Sequence, residues 1–207
     1  MMLATDFFAL LSIDLVACAV VLRVITSATP ASAMQNTPQR TASLLVILLV
    51  GLWLPWGDAD LSLLAYARGI VSDLSVTSVL FSVFWMCQRM EVMPPFRQAE
   101  KQMLYAVLTL AAAVLYPTAL GWGDWDAYRL GWGAPSFVTG VSLFALACFW
   151  MGLRVLPLLI AAAVMAWSFG ILESGNLWDY LIDPWIACVA TGAALKVGLG
   201  LFRRPVL

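Results

Sequence analysis

Apolar runs of about 16–20 residues recur along the chain between short polar breaks, and a hydrocarbon layer about 30 Å thick needs about 20 helical residues to cross it. The runs predict membrane-spanning helices over Phe7–Val24, Thr41–Trp56, Ile70–Met86, Met103–Leu120, Ser136–Met151, Val155–Ile171 and Trp185–Leu201. The second run is short, and the third carries Asp73, Ser75, Thr77 and Ser78. These two are therefore expected to be tilted, half-inserted or shielded by neighbours. Only Gly152, Leu153 and Arg154 separate the fifth run from the sixth, and six helices with one long bent element is the alternative. The expected fold is all-α: a polytopic transmembrane helical bundle of about seven helices, forming one domain over residues 1–207.

Composition strengthens that reading. Hydrophobic residues make up 63% of the 207, charged residues 11%, and the mean hydropathy is +0.92. Soluble domains hold about 45–50% apolar residues. A cleavable leader is not expected. Ala31-Ser32-Ala33 has the small-x-small look of a cleavage site, but the first residues include Asp6 and lack a basic region. The segment from Ser27 to Pro38 reads instead as a loop of small residues.

Charge then sets orientation. Of the eleven Lys and Arg residues, nine are Arg23, Arg40, Arg89, Arg97, Lys101, Arg154, Lys196, Arg203 and Arg204, in segments that alternate with the acidic loops. Basic segments mark the cytoplasmic ends of membrane helices. The intervening loops carry Asp58, Asp60 and Arg68, then Asp124, Asp126 and Arg129, then Glu173, Asp179 and Asp183. They are expected outside, with the N-terminus out and the C-terminus in.

Several chemistries lose support at once. Histidine is absent, which removes a common ligand of haem and zinc and the usual neutral-pH proton shuttle. Cys18, Cys87, Cys148 and Cys188 lie in or beside apolar runs without a C-x-x-C pair and read as packing residues. No phosphate-cradling G-x-x-x-x-G-K-[ST] and no basic stripe occur, so ATP-driven transport and nucleic-acid binding are not expected.

The remaining candidate chemistry lies in the outer loops. Trp56-Gly57-Asp58-Ala59-Asp60 and Trp122-Gly123-Asp124-Trp125-Asp126 repeat the pattern W-G-D-x-D just after an apolar run. Paired carboxylates can share a divalent cation and leave coordination open for phosphate. Equally, Trp anchors at headgroup level while Gly and Asp cap the next helix. No cofactor is expected beyond such a cation, with Asp58, Asp60, Asp124 and Asp126 as its candidate ligands. The third outer loop runs from Leu172 to Trp185. A short interfacial helix over Asn176–Ile182 would put Asn176, Asp179 and Asp183 on one face and Trp178 and Leu181 on another. Alternatively, Asp183 caps the last span and the Trp and Tyr side chains form an aromatic belt. Glu173 lies in the same loop.

Asp73 lies closest to hydrocarbon, where an unsatisfied carboxylate is costly, so it is expected to face the bundle, a partner or water. On a continuous helix Arg68 and Asp73 would point about 140° apart and make a poor pair. Arg68 and Arg129 are the only outer cations, and Arg suits bidentate contact with phosphate or carboxylate. Each either neutralises a nearby Asp or meets a ligand. Asp6 and Asp14 lie on the first span, with Asp14 deep enough to be a second intramembrane candidate.

The runs Leu54-Pro55-Trp56-Gly57-Asp58, Asp60-Leu61-Ser62-Leu63-Leu64-Ala65-Tyr66-Ala67-Arg68-Gly69, Ser72-Asp73-Leu74-Ser75-Val76-Thr77 and Asn176-Leu177-Trp178-Asp179-Tyr180-Leu181-Ile182-Asp183-Pro184 resemble a family of small, uncharacterised proteobacterial inner-membrane proteins. The likeness extends from about Leu44 to the C-terminus. Members tend to accompany sulfatase-like or phosphoethanolamine-transferase-like membrane enzymes. The resemblance implies a bacterial inner-membrane location and a class of partner, and it carries over no catalytic residue.

Two functions are consistent with these features. One is a non-enzymatic accessory or scaffold protein whose acidic, aromatic outer face docks a membrane or periplasmic enzyme or a lipid headgroup. The other is a small membrane enzyme or transporter that handles a lipid-linked phosphate through outer carboxylates. Proton coupling through Asp14 and Asp73 is a variant of the second. The candidate outer-face site comprises Arg68, Asp73, Asp124, Asp126, Arg129, Glu173, Asn176, Asp179 and Asp183, and the expected partners are membrane lipids and a protein of the membrane or periplasm.

Overall fold

The computed structural model describes residues 4–28, 37–56 and 61–202. Among them the chain is all-α apart from one two-residue ladder. Its helices are α1 (Ala4–Ala28), α2 (Thr37–Gly51), α3 (Leu63–Val71), α4 (Val76–Arg89), α5 (Gln98–Ala119), α6 (Pro135–Trp150), α7 (Val155–Ser168), α8 (Leu177–Leu181) and α9 (Pro184–Phe202), with a 3₁₀ turn over Ala127–Gly131. The ladder pairs Pro55 with Ser62 and Trp56 with Leu61. Asp58, Asp60, Arg203 and Arg204 lie outside the described residues.

The predicted runs and the helices coincide at α1, α5, α6, α7 and α9. Two differ. The second run stops being helical at Gly51, as Pro55 disfavours a helical Leu54. The third is broken: α3 ends at Val71, residues 72–75 belong to no helix, and α4 starts at Val76. Ser72 takes φ 63° and ψ −165°, a region that a residue with a Cβ rarely enters.

The fifth and sixth runs are two helices and not one bent rod. Gly152 has φ +80°; its N–H reaches Phe149 O and that of Leu153 reaches Cys148 O. This is the Schellman ending, which needs a left-handed residue just past the helix. Gly121 (φ +87°) ends α5 likewise, with Trp122 N–H on Pro117 O.

The chain folds as two compact units. The first comprises the described residues of Met1–Leu74, Ser78–Pro95 and Ile171–Glu173. In it α1 packs against α2 and α3. Cys18, Ala19, Leu22 and Met86 form one buried cluster, and Ile13, Leu64 and Leu74 another. The second comprises Ser75–Thr77, Phe96–Gly170 and the described part of Ser174–Leu207. Here α5 packs against α9 and α7, and α6 against α7. Leu104, Leu108, Ala112 and Leu115 form the buried stripe of α5 at helical spacing. Leu159, Ala163 and Ala166 of α7 and Ile186, Ala187 and Ala190 of α9 are buried too.

Among the described residues two helices, α1 and α5, are long and apolar enough to cross a membrane. Four further apolar stretches, Pro38–Gly51, Pro135–Trp150, Val155–Ser168 and Pro184–Gly198, are shorter, at 10–17 residues.

Candidate functional site

In the first unit the polar centre is Arg68. Ser62 caps α3 by accepting the Ala65 N–H, and Leu64 is buried beside Ile13 and Leu74. Arg68 sits in the last turn, where the helix dipole favours a cation. The turn at Ser72 brings Asp73 back, and Arg68 Nε donates to Asp73 Oδ1 at 3.2 Å. Nη1 donates to Asp6 Oδ1 at 2.7 Å and Nη2 to Glu173 Oε1 at 2.8 Å. One guanidinium thus serves three carboxylates from three distant parts of the chain. The Asp6 bond, above all, raises the Arg68 pKa beyond its usual value; burial opposes the shift, and Glu173 and Asp73 add to it. This cation is spoken for, which favours neutralisation over a ligand contact.

Deeper on α1, buried Asp14 accepts from Trp53 Nε1 at 2.8 Å and from the Cys18 thiol at 3.4 Å. Its partner Trp53, 39 residues on, was not legible in the sequence.

In the second unit Asp183 is buried and accepts four hydrogen bonds. Oδ1 takes the backbone N–H of Trp185 and Ile186, both at 2.9 Å, at the start of α9. Oδ2 takes the Ser75 backbone N–H at 2.9 Å and hydroxyl at 2.7 Å, just before α4. The carboxylate therefore lies at two helix starts, each carrying positive partial charge.

Asn176 is also buried. Its Oδ1 caps α8 by accepting the Trp178 N–H at 3.0 Å, and its Nδ2 donates to Tyr128 O at 2.9 Å. Trp178 Nε1 donates to Ala127 O at 3.0 Å. Asp179 accepts from Tyr128 Oη at 2.8 Å and from the Ser174 hydroxyl. Burial and the bond to Asp179 push the Tyr128 phenol up to about 12. Gly131 passes so close that a Cβ there would collide with Asn176 Oδ1.

The expected common face of Asn176, Asp179 and Asp183 does not form. The helix is only Leu177–Leu181, Ile182 is extended, and Asp183 lies just before α9, whose first N–H groups it accepts. Asp126 and Asp124 also diverge: Asp126 Oδ1 accepts the Tyr128 N–H at 2.9 Å and starts the 3₁₀ turn, whereas Asp124 is exposed. Arg129 is exposed and makes no ion pair among the described residues. In the same segment of the chain Trp122, Trp125 and Trp132 are 74%, 55% and 62% exposed. No three Cys, Asp or Glu side chains among the described residues are grouped to hold a metal ion.

Asp6, Tyr128, Ser174 and Ser75 complete these clusters from outside the nine candidate residues. The charge of Asp6 on an apolar helix was a usable signal for it. Ser75 stood out only as one of several polar residues in the third apolar run, and Tyr128 and Ser174 carry no sequence mark that sets them apart from ordinary loop residues. Comparison with protein-family models, curated proteins and solved structures finds no match for the chain.

Proposed function

We propose that the chain is a multi-pass accessory or scaffold protein of a bacterial inner membrane, N-terminus out and C-terminus in. Its outer aromatic and acidic loops dock a membrane or periplasmic enzyme. In this reading α1, α2, α4, α5, α6, α7 and α9 lie in the bilayer, and α3 and α8 lie at its outer boundary. Within the apolar helices Val46, Ile47 and Val50 of α2 and Leu143, Phe144 and Leu146 of α6 are exposed, as side chains facing lipid would be.

The observation that carries the scaffold reading is the satisfaction of the polar groups by the fold itself. Arg68 is held by three carboxylates, Asp183 by four donors, and Asn176 and Asp179 by their neighbours. Chemistry on a substrate would need some of these groups free. What stays exposed is the segment holding Trp122, Asp124, Trp125, Arg129 and Trp132, and aromatic and Arg side chains are the commonest anchors of protein interfaces. The family resemblance adds the partner class, a sulfatase-like or phosphoethanolamine-transferase-like enzyme.

Purification of the full chain in mild detergent, with identification of what co-purifies, tests this. A stable enzyme partner, lost in a Trp122→Ala, Trp125→Ala double variant that still folds, is the expected result. Turnover of a lipid-linked phosphate by the purified chain alone would overturn it in favour of a membrane enzyme acting through outer carboxylates, with or without a divalent cation.

A further inference from the structure

The start of α5 and the turn that joins α6 to α7 form one corner of the second unit, built around a buried carboxylate. Glu100, in the first turn of α5, is buried, and its Oε1 accepts the Arg154 backbone N–H at 2.8 Å. Arg97, just before α5, donates from Nη2 to Gly152 O, and the same nitrogen lies 3.9 Å from Glu100 Oε1. Gly152 is the left-handed residue that ends α6. The one carboxylate of this corner thus points inward and bonds to backbone, while the side chains of Arg97 and Arg154 are exposed.

Arg154 is placed by an aromatic ring. Its guanidinium carbon stands over Phe149 at 4.4 Å from the ring centroid, a cation–π contact that holds the side chain without engaging its N–H donors. Among the described residues the Arg154 side chain makes no hydrogen bond and no ion pair. Lys101, next to Glu100, adds a third cation. Three positive charges therefore stand against one buried negative charge. Phe149, Trp150 and Met151, at the end of α6 beside these cations, are all exposed. Basic side chains next to exposed aromatic and apolar ones are what a helix end carries at the level of lipid headgroups.

We propose that this corner docks on anionic phospholipid headgroups of the cytoplasmic leaflet, with Arg97 and Arg154 meeting phosphate and Phe149, Trp150 and Met151 entering the adjoining acyl layer. Guanidinium donors in excess of carboxylates suit phosphate oxygens. A headgroup of net negative charge is drawn to a cluster of cations at the membrane surface, whereas a zwitterionic one gains little. The exposed apolar neighbours select a lipid over a free phosphate ion, which would leave them in water. The proposal rests on the membrane reading given above.

The test uses the full chain, delipidated in mild detergent and titrated with phosphatidylglycerol or phosphatidylethanolamine, with bound lipid counted by native mass spectrometry. The wild type should retain phosphatidylglycerol in preference, and Arg154→Gln and Arg97→Gln should each lower that preference about fivefold. Neither change removes the Arg154 backbone N–H from Glu100, and Gln at position 97 can still donate to Gly152 O. Phe149→Leu keeps an apolar side chain but removes the ring under Arg154, and it should lower the preference while leaving phosphatidylethanolamine retention as it is. Arg23→Gln, which removes an exposed cation of α1 in the first unit, should change nothing. An equal loss in Arg23→Gln would mean that net charge alone sets the preference, and would overturn the site, as would an unchanged preference in the Arg97→Gln, Arg154→Gln double variant. Displacement of phosphatidylglycerol by inorganic phosphate at constant ionic strength would overturn the lipid assignment in favour of a soluble ligand. So would crosslinking to a protein, and not to lipid, from a photoreactive residue in place of Met151. A chain that binds neither lipid and stays monodisperse without detergent would instead sink the membrane reading itself.

Discussion

Tyr128 and Gly131 show how closely single residues are specified in the turn between α5 and α6. Gly131→Ala drives a methyl group into Asn176 Oδ1, which displaces the side chain that caps α8 and holds Tyr128 O. A loss of about 3 kcal/mol is expected from overpacking plus a broken buried hydrogen-bond pair. An unfolding midpoint unchanged from wild type would refute this contact. Tyr128 makes a pH prediction. Its pKa is raised to about 12 by burial and by Asp179, above the value of about 10 of a free phenol. The protonated phenol is the form the fold prefers. Its stabilising effect is thus complete below about pH 10 and is lost as pH rises through about 12. Tyr128→Phe should flatten the stability profile across that window, as read by thermal unfolding at stepped alkaline pH. None of this was legible in the chain, because a glycine or tyrosine in a polar loop looks the same whether or not a distant side chain rests on it.

At the scale of elements the broken helix and the double cap are linked by one residue. Asp183 joins the starts of α4 and α9 through four hydrogen bonds. Asp183→Ala strands these donors and should cost about 3 kcal/mol, whereas Asp183→Asn keeps an acceptor and should cost about half as much. Denaturant titration in mild detergent reads both, and equal losses would mean that capping is not what the carboxylate supplies. The capping role of Asp183 was one of two readings open from sequence. Its position before Pro184 favours extended backbone, which explains why α8 cannot continue through it. The partnership with Ser75, 108 residues away, had no local signature. Likewise, Arg68 and Asp73 are poorly placed on a continuous helix and pair only because the chain turns at Ser72.

For the whole molecule, the alternation of basic and acidic segments predicts sidedness. With Cys18, Cys87, Cys148 and Cys188 replaced by Ala, an impermeant thiol reagent should label Asp124→Cys in intact cells and label Lys101→Cys only after permeabilisation. The reverse pattern would invert the topology and remove the proposed outer docking surface. Helix lengths bear on the same reading. The 22 residues of α5 extend about 33 Å, enough for a bilayer core, while the 16 of α6 extend about 24 Å. In the proposed bundle, helices this short would meet the membrane by local thinning or with flanking Trp and Arg at the boundary.

Apolar run length and the residues that punctuate it determined the all-α class and most helix positions, because helix formation in an apolar stretch depends on local periodicity and on breakers such as Gly152 and Pro55. Charge order along the chain carried the expected topology for a similar reason: it is a property of segments and not of contacts. Which polar groups are already satisfied was decided only by tertiary structure, since a carboxylate's availability depends on donors brought to it through space. Asp6, Asp73 and Glu173 converge on Arg68, and Ser75 on Asp183, through distances along the chain that no pattern of neighbours encodes.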